Sequence, residues 1–104
     1  MTCEELFDVI VERANASSNE SWTAKLLSQG PEKCAEKFGE EAIELIVACV
    51  KKKKKEIIGE AADTVYHMCV LLRSKNISIN QVLLELALRE GISGIEEKRK
   101  RTTK

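Results

Sequence analysis

Four carboxylates fall into two pairs whose spacing suits a metal ion: Glu41 with Glu44, and Glu60 with Asp63. On a helix, residues three or four apart are neighbours, so each pair shares one face. Glu40 stands beside the first pair, and Glu56 and His67 extend the second by one turn each way. Both pairs lie in strongly apolar stretches, where unpaired charge is costly. Five consecutive lysines at 51–55 separate them. If the chain folds back there, Glu44 lies nine positions before Lys53 and Asp63 ten after it, while Glu41 lies twelve before and Glu60 seven after. The pairs then stand at comparable heights, within about one turn. Ala42, Ala61 and Ala62 leave room for close helix approach. Carboxylates gathered in this way raise one another's pKa and need a counter-charge. A hard divalent cation supplies it. Magnesium takes carboxylate and water oxygens and keeps positions for substrate phosphates. One such pair alone is more often a solvated face matched to lysine; the second pair at matched height is what favours a metal.

The elements that must position these groups are helical. Apolar residues recur at three and four, and the chain has one Pro and five Gly. Thr2 and Glu5 form a T-x-x-E capping box, which predicts a first helix over residues 3–14. The segment 15–20 is small and polar and reads as a loop. Residues 21–27 suit a short helical stretch ending at Gly30, and Pro31 suits the first position of a long helix over 31–52. Ala35, Phe38, Ala42, Leu45 and Cys49 lie along one of its faces, and Ile43, Ile46, Val47 and Val50 widen the apolar surface. A second long helix is predicted over 54–75. Ser78 and Gln81 form another capping box, opening a last helix over 79–89 that Gly91 stops. The fold class is therefore all-α, an antiparallel bundle of four to five helices. The two long helices are apolar around most of their circumference, which a small monomer cannot cover, so homodimer packing is expected to complete the bundle. Residues 1–95 read as one domain and 96–104 as a basic, frayed tail.

Composition excludes several classes. Lys+Arg and Asp+Glu are both 17, so the formal net charge is zero, unlike a basic nucleic-acid binder. No apolar run approaches the roughly 20 residues that span a bilayer. The acidic start, Met1-Thr2-Cys3-Glu4-Glu5, lacks the form of a signal peptide, and a cytoplasmic chain is expected. Cys3, Cys34, Cys49 and Cys69 form no CxxC pair, and with His67 the only histidine their spacing suits buried free thiols over a zinc site. There is no P-loop and no Ser-His-Asp set, which leaves attack by water over a covalent intermediate.

Glu40-Glu41-Ala42-Ile43-Glu44, then fifteen residues, then Glu60-Ala61-Ala62-Asp63, resembles the E-E-x-x-E…E-x-x-D signature of the all-α nucleoside triphosphate pyrophosphatase superfamily. Longer strings are more specific. Ser21-Trp22-Thr23-Ala24-Lys25-Leu26-Leu27, Gly39 to Leu45, Glu60 to His67, and Ile77 to Leu86 together resemble the phosphoribosyl-ATP pyrophosphohydrolase family of histidine biosynthesis, over roughly residues 4–90. The resemblance implies Mg2+-dependent hydrolysis of phosphoribosyl-ATP between the α and β phosphates, giving phosphoribosyl-AMP and pyrophosphate. It implies Glu41, Glu44, Glu60 and Asp63 as metal ligands, and Glu40 as an accessory carboxylate. The general base would be Glu40 or Glu44. Lys25 and Lys37 match basic positions that would hold phosphates. Trp22 stands where the family usually has Tyr; it is read either as a stacking surface for adenine or as a core or interface residue. No Cys-rich site for the companion cyclohydrolase is present, so a stand-alone form is implied.

His67, one turn from Asp63, is either a structural histidine or a group that orients that ligand through a hydrogen bond. The lysine run is either a solvated turn or part of a positive field that steers an anionic substrate. Two other functions compete: a house-cleaning pyrophosphatase for non-standard nucleoside triphosphates with the same metal site, and a helical dimerisation module whose carboxylates are merely solvated. Crowding of the carboxylates also predicts that, without metal, Glu41→Gln and Asp63→Asn leave the protein equally or more stable.

Overall fold

A computed structural model describes residues 1–51 and 53–90. It holds five helices: α1 (Cys3–Ala14), α2 (Trp22–Ser28), α3 (Pro31–Lys51), α4 (Lys54–Ser74) and α5 (Ile79–Leu88). No strand occurs among the described residues. The fold is all-α, as the periodicity predicts. Lys52 as the end of the long helix, Gly91 as a stop, the boundary at 95 and the basic tail lie outside the described residues.

Local chemistry accounts for most of the helix ends. The Thr2 hydroxyl accepts from the Glu5 amide while the Glu5 carboxylate accepts from the Thr2 amide, each at 3.1 Å. Ser78 and Gln81 make the same reciprocal box at the start of α5. Ser21 caps α2 by accepting from the Ala24 amide at 3.1 Å, and its hydroxyl donates to the Arg13 carbonyl at 2.9 Å, tying the start of α2 to the end of α1. Gly30 has φ 95°, a left-handed turn that favours glycine. Its carbonyl accepts the Cys34 amide of α3, and Pro31 takes the first helical position, where no N–H is needed. The α4 terminus is a Schellman motif: Asn76 sits at φ 60°, with its amide donating to Arg73 and the Ile77 amide to Leu72.

The core draws on all five helices: Ile10 from α1, Leu26 from α2, Cys34 from α3, Cys69 and Val70 from α4, and Ile79 from α5. It therefore sits where the start of α3, the end of α4 and the start of α5 meet α1 and α2. Leu6, Phe7, Leu27 and Met68 pack around it. From there α3 and α4 run on as an antiparallel pair toward the lysine turn, with Ala48 buried between them. On this arm Ile43, Ile46, Val50 and Ile58 are each at least 60% exposed. Cys34 and Cys69 are buried thiols, whereas Cys3 and Cys49 are exposed. Cys49 departs from the expectation of a buried thiol: its side of α3 is not covered among the described residues.

Candidate metal centre

The arm carries the carboxylates. From α3 come Lys37, Glu40, Glu41 and Glu44; from α4 come Glu60, Asp63, Thr64 and His67. Folding back at the lysine turn brings one oxygen each of Glu41, Glu60 and Asp63 within 4.8 Å of one another. Glu41 is buried, Glu60 half-buried and Asp63 exposed, so the cluster opens from the helix interface toward solvent. Glu44 adjoins it at the surface. The negative charges of Glu41 and Glu60 and a hydrogen bond shared with Glu60 push its carboxyl above the usual range. A cavity of about 380 Å³ lies along this edge, bordered by Glu44, Glu56, Glu60 and Asp63, with Lys51 at its rim.

Two buried carboxylate oxygens, Glu41 Oε2 and Glu60 Oε2, have no hydrogen-bond partner. Leaving such groups unsatisfied is costly. Ligand oxygens around a Mg2+ ion lie about 3 Å apart when adjacent and about 4 Å when opposite, for bonds of ~2.1 Å. Oxygens already within 4.8 Å of one another stand near that spacing. The donor set is all oxygen, from carboxylates on facing helices of a bundle, and so fits a hard divalent cation.

Part of the counter-charge comes from the chain itself. Lys37 Nζ lies 3.1 Å from Glu41 Oε1 and 3.8 Å from Glu40 Oε2. The hydrogen bond to Glu41 raises the Lys37 pKa, so the ammonium stays charged. Glu40 is exposed and turned toward this lysine. His67 is buried; loss of hydration pushes its pKa down, against the opposing pull of Glu41 and Asp63. Its Nδ1 is buried without a partner, and its ring meets Tyr66 edge-on at 5.7 Å. Thr64 lies between the helices, its hydroxyl reaching two backbone carbonyls.

Lys25 and Trp22 sit elsewhere. Lys25 Nζ lies 5.9 Å from the Trp22 ring centre, and both border a cavity of about 550 Å³ with Glu20 and Gln29. That cavity shares no lining residue with the carboxylate edge. Beside Trp22 is a polar cluster that spacing did not flag. Arg13 Nη1 donates to the Tyr66 hydroxyl at 3.1 Å, and the same hydroxyl bonds the buried Thr23 side chain. With Trp22 they line a pocket of about 250 Å³. The available signal was Tyr66 itself, three residues after Asp63 on the same helix.

The pattern of the family described as phosphoribosyl-ATP pyrophosphohydrolase matches residues 3–90. The chain belongs to this family. Relatives named phosphoribosyl-ATP pyrophosphatase agree over nearly their full length. The Roseobacter denitrificans protein is 50% identical over 101 residues, covering 97% of this chain and 96% of the relative. The Paracoccus denitrificans protein is 53% identical over 96 residues, covering 92% and 89%. The Rhodobacter capsulatus protein is 54% identical over 86 residues, covering 83% and 84%. The family match spans all five helices, the carboxylate cluster included.

Proposed function

We propose that this member of the phosphoribosyl-ATP pyrophosphohydrolase family hydrolyses phosphoribosyl-ATP to phosphoribosyl-AMP and pyrophosphate. The observation that carries the reading is the meeting of Glu41, Glu60 and Asp63 oxygens within 4.8 Å, two of those carboxylates holding orphaned buried oxygens, in a chain that matches the family over residues 3–90. Glu41, Glu44, Glu60 and Asp63 would hold Mg2+. When bound, the ion supplies charge neutralisation for the polyphosphate and orients the scissile anhydride. The chain's residues do the rest. Lys37 offers a fixed ammonium beside the cluster, where it can face phosphate oxygens once Glu41 turns toward a cation. Glu40 or Glu44 would take a proton from the attacking water; both are exposed on α3, as a base that must reach solvent requires. Lys25 and Trp22 would hold the more distant parts of the nucleotide, and His67 would support Asp63 from the turn beyond it.

A homodimer belongs to the same proposal. The exposed Ile43, Ile46, Val50 and Ile58 flank the carboxylates, and a second copy would cover them. No described helix is long and apolar enough to cross a membrane; the cytoplasm is the proposed location. The test is pyrophosphate release from phosphoribosyl-ATP, with Mg2+ and with EDTA, beside a panel of ordinary and damaged nucleoside triphosphates. Metal-dependent turnover selective for phosphoribosyl-ATP is expected. Turnover of the panel alone would replace this substrate while keeping the carboxylate site.

A further inference from the structure

The Thr64 hydroxyl lies 2.7 Å from the Glu60 carbonyl and 3.1 Å from the Glu41 carbonyl. The first contact is ordinary: a threonine inside a helix often bonds back to the residue four before it. The second is not local, because Glu41 belongs to α3 and Thr64 to α4. One hydroxyl carries one proton, so the two carbonyls share it as a three-centre bond. Those carbonyls belong to the two residues whose carboxylates hold the orphaned buried oxygens. The hydroxyl therefore pins the peptide of one candidate ligand against the peptide of another, at the height of the cluster. Among the described residues, no other hydrogen bond from one of these helices reaches the backbone of the other. Apolar contacts elsewhere between these helices, as at Ala48, resist sliding and rotation less than a directional bond does, and the carboxylates beside Thr64 repel one another.

We propose that Thr64 is a positioning residue for the metal centre: its hydroxyl fixes the rotation and spacing of α3 against α4 that bring the Glu41 and Glu60 carboxylates to one ion. The inference rests on the metal-site reading above. Three substitutions separate its parts. Thr64→Ser keeps the hydroxyl and loses the methyl; Thr64→Ala loses both and is a strong helix former; Thr64→Val keeps the shape and puts a methyl against two carbonyl oxygens. The full chain and each variant are titrated with Mn2+, a paramagnetic probe of the Mg2+ site, following free Mn2+ by its EPR signal. Titrations are run in the cold, well below each melting temperature, and circular dichroism of the metal-free samples verifies folding. Leu26→Ala, destabilised in the distant core, serves as the control for stability loss alone. The expected result is that Ser binds within about twofold of the wild type. Ala and Val should weaken binding by about 10-fold or more, the scale seen when groups supporting a ligand are removed; Leu26→Ala should bind normally. Folded Ala with wild-type affinity overturns the inference, as does Ser binding no better than Ala. A wild-type chain that binds no Mn2+ overturns the metal-site reading itself, a different outcome from binding that ignores Thr64.

Discussion

Around Ile10, Leu26, Cys34, Cys69, Val70 and Ile79, each apolar side chain is closed off by neighbours from other helices. Along the α3–α4 arm, Ile43, Ile46, Val50 and Ile58 face outward while Glu41 is drawn into the helix interface. The arm thus inverts the usual assignment of apolar and charged groups that the core end keeps. At the core end, burial of hydrocarbon holds five helices together. On the arm, α3 and α4 hold a charged cluster between them, and much of the apolar surface of these helices is exposed. The contrast teaches that stability and chemistry are separated along the same pair of helices.

The largest expected effect tests the first half of that contrast. Leu26→Ala should cost about 2–5 kcal/mol of stability, the range for emptying a well-packed leucine site, read from denaturant unfolding. By contrast, if the arm carries the proposed dimer contact, Ile46→Asp should leave helicity intact and halve the mass measured by light scattering. An unchanged mass would rule out the arm as a dimer contact. Next, Glu60→Gln should lower pyrophosphate release by about 100-fold or more while barely moving the melting temperature of the metal-free protein. A large loss of metal-free stability would make Glu60 a structural partner instead.

A smaller effect concerns pH. Burial holds the folded-state pKa of His67 below its ordinary value of 6.5. The unfolded chain then takes up a proton before the folded one does. The stability that neutral His67 contributes is full above the ordinary value and is lost as pH falls below it, through the folded value. Melting temperatures from neutral pH down to about pH 5 should fall less steeply in His67→Gln; identical slopes would show that other groups set the acid limit. The smallest effect separates the members of the cluster. Asp63→Asn, at an exposed position, should change metal-free stability by no more than about 0.5 kcal/mol. Glu41→Gln should do no better, because relief from Glu44 and Glu60 is offset by loss of the 3.1 Å contact with Lys37. Thermal melts with EDTA compare the two, and a marked gain for Glu41→Gln would mean that the lysine contact contributes little.

That last pair shows where sequence reasoning stopped. Repulsion among carboxylates was legible from their spacing, and each substitution was expected to leave the metal-free protein equally or more stable. The Lys37–Glu41 contact makes them unequal. It spans one helical turn and was open to notice, but choosing Glu41 over Glu40 as the closer partner depends on which carboxylate the packed α4 forces inward. Similarly, Cys49 shares the apolar pattern of Cys34 yet is exposed, because the pattern says that a face is apolar and not what covers it.

The sequence by itself determined the helices and the pairing of the carboxylates. Thr2, Ser78, Gly30 and Pro31 act within a few residues of themselves, and i,i+3 spacing puts Glu41 with Glu44 and Glu60 with Asp63 on shared faces wherever the helices go. Tertiary structure alone decided which oxygens are orphaned, that Thr64 bridges two peptides, and that Arg13, Thr23 and Tyr66 meet through one hydroxyl. The physical reason is range. Caps and helical periodicity are set by backbone geometry over one turn, whereas these contacts depend on how far each helix is rotated about its axis against its neighbours, which only the packing of all five fixes.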